Sequence, residues 1–573
     1  MGRPLHIKPR PPGTSRRGFF ARSGSAAMAL AAVPMRSLAG REGDDPDGDD
    51  DANGARLGSV RFEHGVASGD PLRQRVILWT RVTPDARAKD ILVRYVVTTD
   101  PQLRNVVDRG TFRTGPDSDY TVKVDAEGLR PGSTYYYRFQ ARGVASPIGR
   151  TRTLPAGPTQ RLRIAVVSCS NHAAGYFNAY RRIAERADLD AVVHLGDYLY
   201  EYGPNEYGSV RAPEPPNEMI TLRDYRTRHA QYKRDADSQE LHRQHPMIAI
   251  WDDHEIANDA WKNGAQNHTE GIEGSWPDRV ATGLQAYYEW MPVRVPDPAH
   301  PRREQRAFQF GDLIDLSMLE ERLGARSQQL PATIPVPGLG NVFAQVGEFT
   351  NPERTLLGTG QEAWLAQRLR GSSARWKFIG QGVMFAQLKA QGAPLAAGGG
   401  LFFNSDQWDG YQPARDRVYA MLKGDATRPP VDNCVILTGD IHSSWAADLS
   451  QDPNNPNPAS GGYAPTTGEG SRAVEFVGTS VTSPGLDDPN GATAAFLRSV
   501  NPHFKYIELT RRGYMLLDVT PQRAVCEWWY VDTVASVTNI QTFGVAFEVQ
   551  HGSNRLQASA QTTPRAASPA LAP

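Results

Sequence analysis

Four apolar stretches of this chain each end in a cluster of residue types that bind metals. They are RIAVVSCSNH at 163–172, AVVHLGDYLYEY at 191–202, MIAIWDDHE at 247–255 and CVILTGDIHSSW at 434–445. Each run has the length of a buried strand and is nearly continuous in apolar residues, the pattern of a strand covered on both faces. In open α/β sheets, ligands gather just beyond the carboxyl ends of such strands. Cys169, Asp197, Asp253 and His442 are therefore expected to meet in one site, at one edge of one sheet, although they stand far apart in the chain.

A chain of 573 residues with 39% hydrophobic composition exceeds what one core usually organises, which points to two domains behind a leader. Lys plus Arg and Asp plus Glu number 63 each, so the net charge is zero. No polybasic block is present, which argues against nucleic acid as a binding partner. Three cysteines, Cys169, Cys434 and Cys526, are too few for a disulfide framework. Cys434 and Cys526 stand in apolar runs and read as small core residues, with a pairing between them left open. Cys169 differs because it ends its strand among polar residues.

Residues 1–40 have the organisation of a twin-arginine export signal: Ser15-Arg16-Arg17-Gly18-Phe19-Phe20, a small-residue apolar run, then Ser37-Leu38-Ala39. The expectation is export by that pathway, with the export machinery as a partner and a periplasmic or secreted destination. Residues 41–57 are acidic and almost devoid of apolar residues, so they read as a disordered linker. Between 58 and 155, VILWTRV, ILVRYVVTTD, YTVKVD and STYYYRFQA alternate with period two between turn residues, the pattern of a β-sandwich domain. Leu129-Arg130-Pro131-Gly132-Ser133-Thr134-Tyr135 is similar to the corner before the penultimate strand of fibronectin type III domains.

From 160 to 550 strands alternate with helices. FNAYRRIAERADLD (177–190), the stretch 219–246 and GQEAWLAQRLRGSS (360–373) carry helical spacing, and WKFIGQGVMF (376–385) reads as a strand. GYMLLDVTP (513–521) and AVCEWWYVD (524–532) read as edge strands of an outer sheet. Residues 551–573, rich in Ala, Pro, Ser and Thr, read as a disordered tail.

Gly196-Asp197 after AVVHL, Asp253-His254-Glu255 after IAIW, and Gly439-Asp440-Ile441-His442 after VILT follow the motif order of calcineurin-like metallophosphoesterases. Ser168-Cys169 replaces the usual first motif, and Tyr198-Leu199-Tyr200-Glu201-Tyr202 follows the Gly-Asp. With Trp251-Asp252 and Ser443-Ser444-Trp445, the chain resembles the PhoD-type alkaline phosphatases, a group that includes phosphodiesterases and iron-dependent phospholipases D. The resemblance spans about 60–550, including EFVGTSVTSPG (475–485) and RRGYMLLDVTP (511–521). It implies an α/β fold: a metallophosphoesterase-type β-sandwich core flanked by helices, preceded by a small all-β fibronectin III or Ig-like domain.

The residue types suit a mixed metal site. A carboxylate such as Asp197 can bridge two cations and clamp a phosphate between them. A Cys169 thiolate and a tyrosine phenolate suit trivalent iron, whereas Asp253 and Asp440 offer the hard oxygens that calcium prefers. Tyr198, Tyr200 and Tyr202 all stand in the relevant run. The resemblance implies that Cys169, Asp197, Tyr200 and His442 hold Fe3+, and that Asp197, Asp253 and Asp440 contribute to one or two Ca2+ sites. Asn258 is a further candidate oxygen donor, and Asp252 is a supporting or capping residue.

His254 occupies the position of the acid histidine in metallophosphoesterases, so Asp197 and His254 are the expected catalytic residues. Phosphoester hydrolysis needs charge stabilisation on the phosphoryl group, an activated oxygen in line and help for the leaving group. The expectation is an exported, metal-dependent phosphoesterase that releases phosphate from monoesters, and from diesters, by attack of a metal-activated oxygen on small-molecule substrates. The alternative is a phospholipase D-type phosphodiesterase with peripheral lipid contact; a remoter one is a non-catalytic cell-envelope binding protein. Leu319-Glu320-Glu321-Arg322 stands where the family often has Asp-x-Arg, which leaves a pairing there open. Trp261, Trp276, Trp408 and Tyr411 are the expected aromatic lining of the pocket.

Overall fold

The computed structural model describes residues 58–573. Residues 1–57, where an export signal and an acidic linker are expected, lie outside the described residues. Two large sheets face each other. One has ten strands, in the order Leu556–Ser559, Gln541–Gln550, Arg523–Val531, Gly513–Val519, Leu162–Val167, Ala191–His194, Pro246–Ala249, Val66–Gly69, Val76–Arg81 and Thr121–Ala126. The other has seven, with Ile314–Met318, Trp376–Gln381, Cys434–Thr438 and Ala473–Val477 as its parallel centre.

The period of two along each strand sorts its side chains into different layers. Ile164 and Val166 face the core between the sheets, where they meet Leu316, Phe378, Leu437 and Val474. Ala165 and Val167 face the other way, against the helices Asn178–Ala184, Leu222–Arg234, Ala236–Gln244 and Trp276–Trp290. In the second sheet Val435 and Leu437 point inward, while Cys434 and Ile436 pack with the layer containing Gly358–Gly371 and Gln412–Lys423. The result is helix, sheet, sheet, helix. Truncating an inter-sheet residue such as Leu437 to Ala should cost about 2–5 kcal/mol, because a cavity adds to the lost transfer energy.

The segment 58–155 forms a second sandwich that shares one sheet with the first. Val66, Val76, Leu78, Val122 and Val124 come from the ten-stranded sheet and pack on Val93, Val97, Tyr135, Tyr137 and Phe139 from a smaller antiparallel sheet. Val66–Gly69 pairs in parallel with Pro246–Ala249, so the main sheet runs through both parts of the chain. The Tyr135 hydroxyl accepts from Arg130 N–H at 2.7 Å, the bond that pins a tyrosine corner in such sandwiches.

Three expectations are corrected here. The strands that carry the site motifs do not share one sheet: Leu162–Val167, Ala191–His194 and Pro246–Ala249 lie in the ten-stranded sheet, and Cys434–Thr438 lies in the seven-stranded one. Apolar runs report burial, and burial is the same in either sheet. Gly513–Val519 is not an edge strand; it pairs directly with Leu162–Val167 and is buried throughout. The segment 551–573 is not a disordered tail either. Leu556–Ser559 extends the large sheet, Thr562 N–H donates to Glu527 at 2.6 Å, and Ala572 exchanges hydrogen bonds with Gln244 at 2.8 and 3.1 Å. Distant side chains satisfy this polar segment, which its own composition cannot reveal.

All three cysteines are buried and free; Cys434 and Cys526 pack in different core clusters. Among the described residues, no helix is long and apolar enough to cross a membrane.

Candidate active site and metal centre

Three of the four motif loops leave their strands on left-handed turns. Cys169, Asp197, Asp440 and His442 have φ of 60°, 55°, 57° and 56°. For residues with a Cβ this conformation costs about 1–2 kcal/mol each, so surrounding contacts must hold it. Cys169 N–H donates to Gly196 O at 3.1 Å and Ser170 N–H to Asp197 O at 2.9 Å. The buried Glu255 carboxylate accepts from the N–H groups of Asp197, Tyr198 and Asp252 at 3.2, 2.6 and 2.8 Å. Gly196 is required in its own right: at φ 101° a Cβ there would stand 2.5 Å from the Asp252 Cβ.

Three groups of potential metal donors result, each with ligand atoms within 4.8 Å of one another: Cys169, Asp197 and His442; Asp197, Asp253 and His254; and Asp252, Asp253 and Asp440. Asp197 belongs to two of them. The Tyr200 hydroxyl lies 3.0 Å from Asp197 Oδ2, 3.1 Å from His442 Nε2 and 2.7 Å from Ser483 Oγ. Tyr198 points away, with its hydroxyl on Lys233 Nζ at 2.9 Å and His242 at 2.9 Å. Tyr202 packs its ring beside His254. Of the three tyrosines, Tyr200 is thus the one in the cluster.

The donor set fits a cation. Asp197 Oδ1 is buried without a hydrogen-bond partner, and burial pushes its carboxyl well above the usual range, a penalty a positive ion would remove. The Pro484 carbonyl, which can only accept, lies 2.9 Å from His442 Nδ1 and so holds the proton there. Burial lowers the imidazole pKa to about 3, which leaves Nε2 as a neutral donor facing Asp197 and Tyr200.

His254 Nδ1 lies 2.8 Å from Glu201 Oε2, and Glu201 is itself fixed by Asn258 N–H and Asn267 Nδ2, each at 2.8 Å. Burial alone would lower the His254 pKa. The carboxylates of Asp253, Glu201 and Asp197 outweigh it and hold the ring protonated well above the ordinary range. With Nδ1 committed to Glu201, Nε2 is the nitrogen available to a reacting group.

Arg322 is the organising residue that sequence reasoning left open. Its guanidinium is fully buried, ion-paired to Asp252, and lies 2.9 Å from Asp440, 2.8 Å from Asp406 and 3.6 Å from Asp253. Its position just past the strand Ile314–Met318, where the family motif places an arginine, was the available signal. Glu201, Glu255, Asp406 and Ser483 were also missed; Ser483 Oγ bridges Cys169 O at 2.9 Å and the Tyr200 hydroxyl.

Other expectations fail at the pocket wall. Trp276, Trp408 and Tyr411 are buried core residues, with Trp408 Nε1 on Glu321 at 3.1 Å and Tyr411 on Ser327 O at 2.7 Å. Trp261 lies against Gly264. The aromatic rings beside the cluster are Tyr202 and Tyr207, and Tyr207 Oη lies 3.1 Å from His442 Nδ1. Asn258 turns its amide to Gln266 at 2.9 Å rather than to the carboxylates.

The family described as PhoD-like phosphatase matches residues 164–528, and the family described as its N-terminal domain matches 49–155. The chain belongs to the PhoD-like phosphatase family. It is 36% identical over 479 residues to alkaline phosphatase D of Bacillus subtilis, covering 81% of this chain and 76% of that protein. A solved structure described as "Structure of PhoD" superposes with a TM-score of 0.77 at 34% identity, covering 88% of this chain and 93% of the other. This PhoD-like chain is accordingly an enzyme of the phosphatase and phosphodiesterase class, acting on small-molecule phosphoesters.

Proposed function

We propose that this chain is an exported, metal-dependent phosphoesterase that releases phosphate from phosphate monoesters and also accepts diesters. The observation that carries the reading is Asp197: one carboxylate shared by two donor groups, with one oxygen buried and unpartnered. The two facing sheets, with the motif loops at their strand ends, support a metallophosphoesterase-type core. By donor chemistry, Cys169, Asp197, Tyr200 and His442 would hold Fe3+, and Asp197, Asp253 and Asp440 would hold one or two Ca2+. Bound there, such ions supply positive charge for the phosphoryl oxygens and lower the pKa of a coordinated water.

The chain's own groups supply the remainder. Glu201 orients His254, whose Nε2 would stabilise a phosphoryl oxygen or protonate the departing alkoxide, a contribution of about 10²–10⁴-fold. Arg322 holds Asp252, Asp253 and Asp440 at fixed positions. The Arg16-Arg17 segment directs export by the twin-arginine pathway in this reading, to the periplasm or beyond.

The test is the initial rate of the purified, metal-loaded mature protein on p-nitrophenyl phosphate and on bis(p-nitrophenyl) phosphate, beside Asp197→Asn and elemental analysis. Monoester turnover lost in the variant together with bound metal supports the proposal. Dominant diester turnover points instead to a phosphodiesterase of the phospholipase D type. Turnover that Asp197→Asn leaves intact refutes the assigned site.

A further inference from the structure

Arg512 immediately precedes the strand Gly513–Val519. That strand runs antiparallel to Leu162–Val167 with Met515 opposite Val166, so the register continues to bring Arg512 level with Cys169. The backbone is anchored there: Gly513 N–H donates to Ser480 O at 3.1 Å, and Val531 N–H to Arg512 O at 2.9 Å. The half-buried side chain lies over Gly485, where a Cβ would stand 2.7 and 2.8 Å from its two Nη atoms. Gly485 follows Pro484, the residue whose carbonyl holds His442. The guanidinium therefore lies beside the loop that holds His442.

What separates Arg512 from its neighbours is that part of its guanidinium is left without a partner. Arg322 is enclosed by carboxylates, and Arg228 donates to the carbonyls of Tyr200 and Tyr202. Arg512 uses Nη1 alone, on the carbonyls of Thr510 and Arg511 at 2.7 and 3.2 Å. Glu508, the nearby acid, pairs with Arg511 at 3.2 Å. The remaining N–H groups of Arg512 have no partner among the described residues. A forked donor with fixed charge is suited to two oxygens of one phosphoryl group.

Resting on the phosphoesterase reading, we propose that Arg512 is a specificity-determining residue that binds the terminal oxygens of a dianionic phosphoryl group. It thereby favours monoesters and inorganic phosphate over diesters. A monoester offers three terminal oxygens and two charges at neutral pH, whereas a diester offers two oxygens and one charge. The guanidinium therefore gains more from the monoester.

The test compares wild type, Arg512→Gln and Arg512→Lys as metal-loaded mature protein, reading kcat and KM on p-nitrophenyl phosphate and its bis diester. Inhibition and calorimetric binding by inorganic phosphate are measured beside metal content. Loss of a charge-assisted bond predicts that Gln weakens phosphate binding and raises monoester KM by about 10- to 100-fold. The monoester-to-diester ratio of kcat/KM should fall by about tenfold, metal content should hold, and Lys should restore part of the loss. Equal losses on both esters accompanied by lost metal would reveal a structural role and overturn the proposal, as would unchanged phosphate binding. A wild type that hydrolyses neither ester would sink the functional reading instead, and phosphate calorimetry would then still decide Arg512.

Discussion

Asp406 is the counter-ion of two buried arginines, and replacing it with Asn removes the charge while keeping the shape. Its carboxylate lies 2.8 and 2.9 Å from Arg322 Nη1, 2.5 Å from Arg326 and 2.6 Å from Gln329 Nε2. Burial alone would raise its pKa from 3.8, but Arg322 and Arg326 bring it down to about 2. The folded value is depressed, so the stabilisation is complete well above 3.8 and is lost as pH falls toward 2. That gap corresponds to about 2 kcal/mol at neutral pH, and the stranded guanidinium groups raise the cost toward about 3–5 kcal/mol.

Urea unfolding of wild type and Asp406→Asn at pH 7, 5 and 3 reads both the size and the sign. The variant should be less stable by about 2–5 kcal/mol at pH 7 and at pH 5. By pH 3 the wild type has forfeited roughly half of the linkage contribution, so the two proteins should draw together. A deficit that stays constant across this range would refute the argument, since the loss would then come from geometry rather than charge. Activity at pH 7 should also fall, because Arg322 would no longer be balanced between Asp406 and the carboxylates of Asp252 and Asp440.

Three further outcomes follow from the same structure. Gly196→Ala should abolish activity and lower stability by several kcal/mol, because its Cβ would meet Asp252 backbone and side chain at 2.7 and 2.5 Å; a variant with wild-type melting and turnover would contradict this. Asp197→Asn should lose bound metal and cut turnover by more than His254→Asn does, since two donor groups share Asp197; the reverse ranking, by elemental analysis and initial rates, would remove it from the centre. Deleting residues 556–573 should expose the edge of Gln541–Gln550, lower the melting temperature and promote self-association visible by light scattering. Unchanged melting would mean that the tail contacts contribute nothing.

The site was legible because strand-end geometry is written locally. A run such as AVVHLGD contains both the reason for its burial and the left-handed turn that follows it, and Tyr200 stands near enough to inherit its place. The tyrosine corner at Tyr135 was readable for the same reason: its partner, Arg130 N–H, is five residues away. What failed depended on pairings that no local pattern encodes. The assignment of Cys434–Thr438 to the second sheet, the insertion of Gly513–Val519 beside Leu162–Val167 and the docking of the last residues on Gln244 and Glu527 all join distant segments.

Arg322 shows how the two kinds of information combine. Its charge is conspicuous in sequence, but a lone arginine near an acidic pair reads as a surface residue until the sheet order is known. Once Ile314–Met318 lies parallel to Trp376–Gln381, and that strand to Cys434–Thr438, the loops carrying Arg322 and Asp440 leave the same end of one sheet. Asp252 and Asp253 arrive from the facing sheet, so the guanidinium ties together loops from both halves of the core. A cluster of carboxylates in the interior repels itself and resists desolvation. Fixed positive charge from Arg322 offsets part of that repulsion and holds the carboxylates in place at the sandwich edge.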